Sequence, residues 1–131
     1  MYSSATPSSP KANGVSGTCY VDKTSARQLS HQVCLVTDGC ENLSLEWCGQ
    51  QCQLLNYTLA GVEASHQCAC SNAVTNSTAK APMSECDMAC TGNETETCGG
   101  KYRVFVYEAK SVGPPPPQAA LPAADSRYIP N

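Results

Sequence analysis

The chain has 131 residues, ten of them cysteine against one tryptophan and one phenylalanine, and a formal net charge of −3. Such a chain suits one domain whose apolar interior is too small to hold by burial alone, so covalent staples are expected. The charge offers no basic stripe, and no run approaches the roughly 20 apolar residues of a membrane span, which sets aside nucleic acid, anionic membrane surfaces and a transmembrane helix.

Residues 1–16 are rich in Ser, Thr, Pro, Ala and Gly and read as an extended N-terminal segment. The opening "MYSSATPSSP" lacks the apolar core of a signal peptide, so a mature form or a fragment of a longer chain is expected. Every cysteine lies between Cys19 and Cys98, which places the folded unit at 17–109. "TCYVD" (18–22) reads as a first strand. In "CLVTDGC" (34–40), Asp38-Gly39 has the chemistry of a tight turn.

Between Ser44 and Leu55, the residues Leu45, Cys48, Cys52 and Leu55 recur at helical spacing, with Ser44 placed to cap and Glu46 in the first turn. Asn56 is a stop signal, after which "YTLAGVE" and "QCAC" read as two extended segments joined by "ASH". "GNETETCGG" reads as a solvated hairpin, since Glu94 and Glu96 alone lack the ligand density of a calcium site. "YRVFVYE" (102–108) is the clearest strand, β-branched and aromatic along its length. A proline-rich tail over 110–131 follows.

Cys48 and Cys52 share one helix face, and Cys68 and Cys70 share one strand face. Two disulfides can join such pairs side by side. Structural zinc sites favour Cys-x2-Cys knuckles, and this chain has no Cys-x-x-Cys, so a metal centre and a dithiol redox site both fit poorly and no cofactor is expected. Four Asn-x-Ser/Thr sequons, at Asn42, Asn56, Asn76 and Asn93, join the dense and even cysteine count in pointing to secretion and an oxidising exterior.

Taken in order, "GTCYVD", "LSLEWCGQQC", "LAGVEASHQCAC", "SECDMACTG" and "ETCGGKYRVFVYE" resemble the WSC domain of fungal cell-wall stress sensors, secreted fungal enzymes and the animal Kremen receptors. The resemblance covers residues 17–108. It implies a small disulfide-rich α+β domain similar to PAN or apple modules, with one helix packed across an antiparallel sheet. It also implies the bridges Cys19–Cys86, Cys48–Cys68, Cys52–Cys70 and Cys90–Cys98. Cys34 and Cys40 are additional to the family pattern and are most simply a local fifth bridge. The family's usual aromatic between the strand cysteines is Ala69 here, which removes an expected exposed ring.

The resemblance further implies a non-enzymatic extracellular module that binds wall polysaccharide such as β-1,3-glucan. Such a site needs a ring for the apolar face of a pyranose and amides or carboxylates for its hydroxyls. The candidate rings are Tyr20, Trp47, Tyr57, Tyr102 and Tyr107, each with core packing as its alternative role; Glu63, His66, Gln67 and Asn72 are the candidate polar partners. No catalytic residue is assigned, because His31 and His66 have no nucleophile in a recognisable arrangement. The competing expectation is a glycosylated filament whose tails dock on neighbouring subunits.

Overall fold

A computed structural model describes residues 11–12, 15–34 and 40–112. The Asp38-Gly39 turn, residues 1–10 and residues 113–131 lie outside these, as does the expectation that the tails dock on neighbours. Eight strands are described: β1 Lys11–Ala12, β2 Val15–Val21, β3 His31–Cys34, β4 Leu59–Glu63, β5 Gln67–Ser71, β6 Ala89–Cys90, β7 Asn93–Thr97 and β8 Arg103–Glu108. They join one helix, α1, Leu45–Leu54.

Six of the strands form one antiparallel sheet in the order β1-β2-β8-β4-β5-β3, and β6 and β7 form a separate hairpin. The chain is thus a small α+β domain with five disulfides. Strand backbone reaches back to β1 at Lys11 on one side, and a 3-10 turn over Ala109–Val112 follows β8 on the other.

The helix begins where Ser44 Oγ accepts the Trp47 N–H at 3.1 Å, and it ends before Asn56, whose φ of 68° is left-handed. Its buried stripe of Leu45, Cys48, Gly49 and Cys52 faces the sheet. Cys48–Cys68 and Cys52–Cys70 join helix to β5 with Cα separations of 5.8 and 5.5 Å. Cys19–Cys86, Cys90–Cys98 and Cys34–Cys40 complete the set.

Half the apolar core on this face is therefore cystine, filled out by Leu43, Val62, Phe105 and Tyr107. The rings of Phe105 and Tyr107 stack with centroids 5.6 Å apart, and the Tyr107 hydroxyl donates to the Leu45 carbonyl at 2.6 Å. A phenol can be buried at little cost only when its hydroxyl is satisfied in this way. Bridges of this kind contribute ~2–4 kcal/mol each by restricting the unfolded chain, so a core of this size is sufficient.

A second, smaller cluster of Tyr20, Leu29, Ala69, Val104 and Val106 covers the opposite sheet face. The loop bearing Leu29 is tied down by Gln28, whose side chain donates to the Val21 and Asn76 carbonyls and accepts the Asn76 N–H at 2.8 Å. Gly61 lies beneath Leu29: a Cβ there would run into that side chain and meet Val104 Cγ2 at 2.9 Å. Ala69 is 7% exposed in this cluster, so the position between the strand cysteines packs against the loop and is not an open stacking platform.

Candidate functional site

Antiparallel order places the end of β2, the start of β8, the end of β4 and the start of β5 at one rim of the sheet. The pairings Val21↔Arg103, Glu63↔Val104 and Glu63↔Gln67 fix this register. Three connections therefore converge: the loop after β2, the turn between β4 and β5, and the turn before β8. Between them lies a cleft of 410 Å³ lined by Thr24, Arg27, Glu63, His66, Gln67, Lys101 and Tyr102, with Ala64 at its edge.

Lys101 and Tyr102 form a two-residue turn closed by Gly100 N–H to Arg103 O at 2.9 Å and Arg103 N–H to Gly100 O at 3.1 Å. The Tyr102 carbonyl also accepts the Asp22 N–H at 2.9 Å, which ties this turn to the loop after β2. Tyr102 has φ 56°, a conformation that costs a bulky side chain of order 1 kcal/mol. Its ring is 50% exposed, with Lys101 Nζ 5.9 Å from the ring centroid. Ala64 and Ser65 are also left-handed, at φ 52° and 74°, so the rim is built largely from strained backbone. The His66 ring nitrogen Nδ1 lies 2.7 Å from the Ala64 carbonyl oxygen and donates to it.

Behind the rim, Arg27 Nη1 pairs with Asp22 Oδ2 at 2.6 Å and reaches Glu63 Oε1 at 3.4 Å. Asp22 Oδ1 additionally accepts the Gln28 N–H at 2.7 Å. Asp22 and Glu63 are 3% and 6% exposed, so two buried carboxyl groups share one partly exposed guanidinium. Desolvation pushes Glu63 up to about 9, aided by its hydrogen bond to Asp22 and by that group's charge, with Arg27 opposing. At neutral pH Glu63 is therefore a protonated acid. Burial pulls the Arg27 guanidinium down, but its hydrogen bond to Asp22 and the charge of Asp22 outweigh it and raise its pKa.

Among the sequence candidates, the structure brings Glu63, His66, Gln67 and Tyr102 together in this cleft. Tyr57 and Asn72 lie elsewhere: Tyr57 stacks on His31 with centroids 5.4 Å apart, and Asn72 Oδ1 accepts the Thr58 N–H at 3.0 Å. Tyr57 lines a second depression, of 560 Å³, together with Gln53, Asn56, Thr58, Leu59, Glu108 and Lys110. Trp47 stands apart on the helix, 37% exposed, while Tyr20 and Tyr107 are buried and present no open ring face.

Thr24, Arg27 and Lys101 are cleft residues that sequence reasoning missed, as it did Asp22 behind them, because only the strand order makes their loops neighbours. The sequon residues Asn42, Asn56 and Asn76 are exposed and Asn93 is half-buried. None of the four lines the cleft, whereas Asn56 lines the 560 Å³ depression. The Sγ atoms of Cys48, Cys52 and Cys68 lie within 4.8 Å of one another, but each is held in a disulfide and offers no thiolate.

Comparison with known proteins places this geometry in a family. The model of the WSC domain matches residues 17–100. A WSC domain-containing protein of Arthroderma benhamiae is 38% identical over 73% of this chain and 10% of its own length. The xylosyltransferase oxt of Drosophila pseudoobscura pseudoobscura is 35% identical over 80% of this chain and 12% of its length. Human Kremen protein 2 is 35% identical over 72% of this chain and 20% of its length. The chain thus spans between a tenth and a fifth of these curated relatives. By the extent of the family match and the identity to its relatives, the chain belongs to the WSC domain family.

Proposed function

We propose that this chain is a non-catalytic extracellular module that binds cell-wall polysaccharide, β-1,3-glucan or a related chain, through the Lys101–Tyr102 cleft. Family membership supports the coarser part, an extracellular module of carbohydrate-binding or sensor type. The observation that carries the finer part is the half-exposed Tyr102 ring, held on a strained turn above a cleft of hydrogen-bonding side chains.

Each part has a matching role in sugar recognition. A pyranose presents an apolar C–H face that suits an aromatic ring, and its hydroxyls suit donors and acceptors fixed beforehand by a rigid wall. Gln67 supplies both donor and acceptor and Thr24 a hydroxyl, while the Glu63 proton is committed to Asp22 behind the wall. Strain at Tyr102 fits a position selected for display of the ring, since a glycine would occupy the same turn more easily.

Retention on insoluble β-1,3-glucan, chitin and xylan tests this directly. The intact module should be depleted from solution by at least one of them, and Tyr102→Ala should abolish depletion. A folded, disulfide-intact module that all three, and acidic polysaccharides as well, leave in solution would overturn the reading.

A further inference from the structure

We infer that, within the wall polysaccharides this cleft accepts, chains bearing carboxylate or sulfate substituents that dock on Lys101 are held in preference to neutral ones. The inference rests on the cleft reading above and adds a ligand class to it.

The charges around the cleft decide the matter. Its charged or titratable lining groups are Arg27, Glu63, His66 and Lys101, with the Tyr102 phenol beside them. Arg27 is matched by Asp22 at 2.6 Å, and Asp22 is buried behind the wall. Burial and the neighbouring Asp22 keep Glu63 protonated at neutral pH, so the second carboxyl adds no opposing charge. Lys101 is exposed and has no carboxyl group within ion-pair distance among the described residues, where the close cation–carboxyl contacts involve only Arg27 and Arg103. Its ammonium instead lies beside the Tyr102 ring, where a stacked sugar would rest. The cleft therefore presents an unmatched cation next to its stacking face.

The whole chain carries −3, which would repel a polyanion at long range. At physiological ionic strength, however, charges more than ~8 Å apart are largely screened. A local cation beside a ring can then hold an acidic sugar that the distant acidic residues do not reach. General attraction of polyanions is not expected from this net charge, so any retention reports the local site.

The test compares retention of the intact, disulfide-bonded module on four matrices: neutral β-1,3-glucan, polygalacturonate and glucuronoxylan for carboxylates, and dextran sulfate for sulfate esters. Retention on a carboxylated or sulfated matrix should exceed that on neutral glucan and should fall ~3-fold or more between ~50 and ~500 mM salt. Loss of one charge-assisted hydrogen bond predicts about a tenfold drop for Lys101→Gln. Lys80→Gln, exposed and outside the cleft lining, should leave retention unchanged. The two acidic arms distinguish a carboxylate from a sulfate ligand.

Equal or better retention on neutral glucan, with no effect of Lys101→Gln, would overturn the acidic class while leaving the polysaccharide reading intact. Retention on acidic matrices that Lys80→Gln weakens as much as Lys101→Gln would also overturn it, as diffuse attraction. Absence of retention on every matrix would sink the underlying reading itself.

Discussion

Glu96, in the β6-β7 hairpin, accepts the backbone N–H of Leu45 through Oε1 at 3.0 Å, across 51 positions of sequence. Leu45 opens α1, so this carboxylate satisfies an N–H that no residue of the helix can reach and places negative charge at the positive end of the helix dipole. Together with Ser44 it forms a two-part cap, one part local and one supplied from a distant hairpin. Glu96→Ala should cost ~1 kcal/mol, and Glu96→Gln less, by chemical denaturation with the disulfides intact. A loss no larger than that of Glu94→Ala, which neighbours it on β7, would show the contact to be idle.

The buried carboxyl pair predicts a pH dependence with a definite sign. Folded protein holds the Glu63 proton up to about 9, whereas an unfolded glutamate releases it near 4.5. The folded state therefore binds more protons across that window, and stability falls as pH rises through it. This contribution is complete below about 4.5 and is lost as pH climbs to about 9. Denaturation midpoints from pH 5 to 9 should fall, and Glu63→Gln, which cannot titrate, should flatten the profile. An unchanged slope in the variant would assign the dependence elsewhere.

Tyr102 offers a separation of stability from binding. Glycine adopts a φ of 56° without a Cβ penalty, although it also gains freedom in the unfolded chain. Tyr102→Gly should leave stability unchanged or raise it by up to ~1 kcal/mol while removing retention on polysaccharide. A variant that melts well below the parent would show the ring to be structural.

The helix bridges predict a graded loss. Cys52→Ala with Cys70→Ala removes one of the two links between α1 and β5 and should cost ~2–4 kcal/mol. The paired Cys34→Ala and Cys40→Ala change closes a loop of only six positions and should cost less. Thermal melts of both double variants check the order, and a reversed order would contradict it.

Much of the fold was legible because its signals are local. The four-residue spacing of Cys48 and Cys52, the Ser44 cap and the β-branched run at Arg103–Glu108 each depend only on near neighbours. The strand His31–Cys34 left no comparable trace, since four residues with one β-branched side chain carry no period, and only pairing with β5 makes them a strand. Of the candidate site, the β4-β5 turn brought Glu63, His66 and Gln67 together by sequence proximity alone. Arg27 and Lys101 reach the same cleft, and Asp22 the layer behind it, through strand order, which no short window encodes. Tyr107 reads as a possible platform until its hydroxyl is seen to be committed to Leu45 inside the core.

The most direct test is a titration of the isotopically labelled module with a soluble cell-wall oligosaccharide, followed by backbone amide shifts. Binding at the cleft predicts saturable shifts at Thr24, at Glu63 through Gln67 and at Lys101 and Tyr102, with α1 unaffected. Shifts confined to Trp47, or to Tyr57 and Asn72, would contradict it.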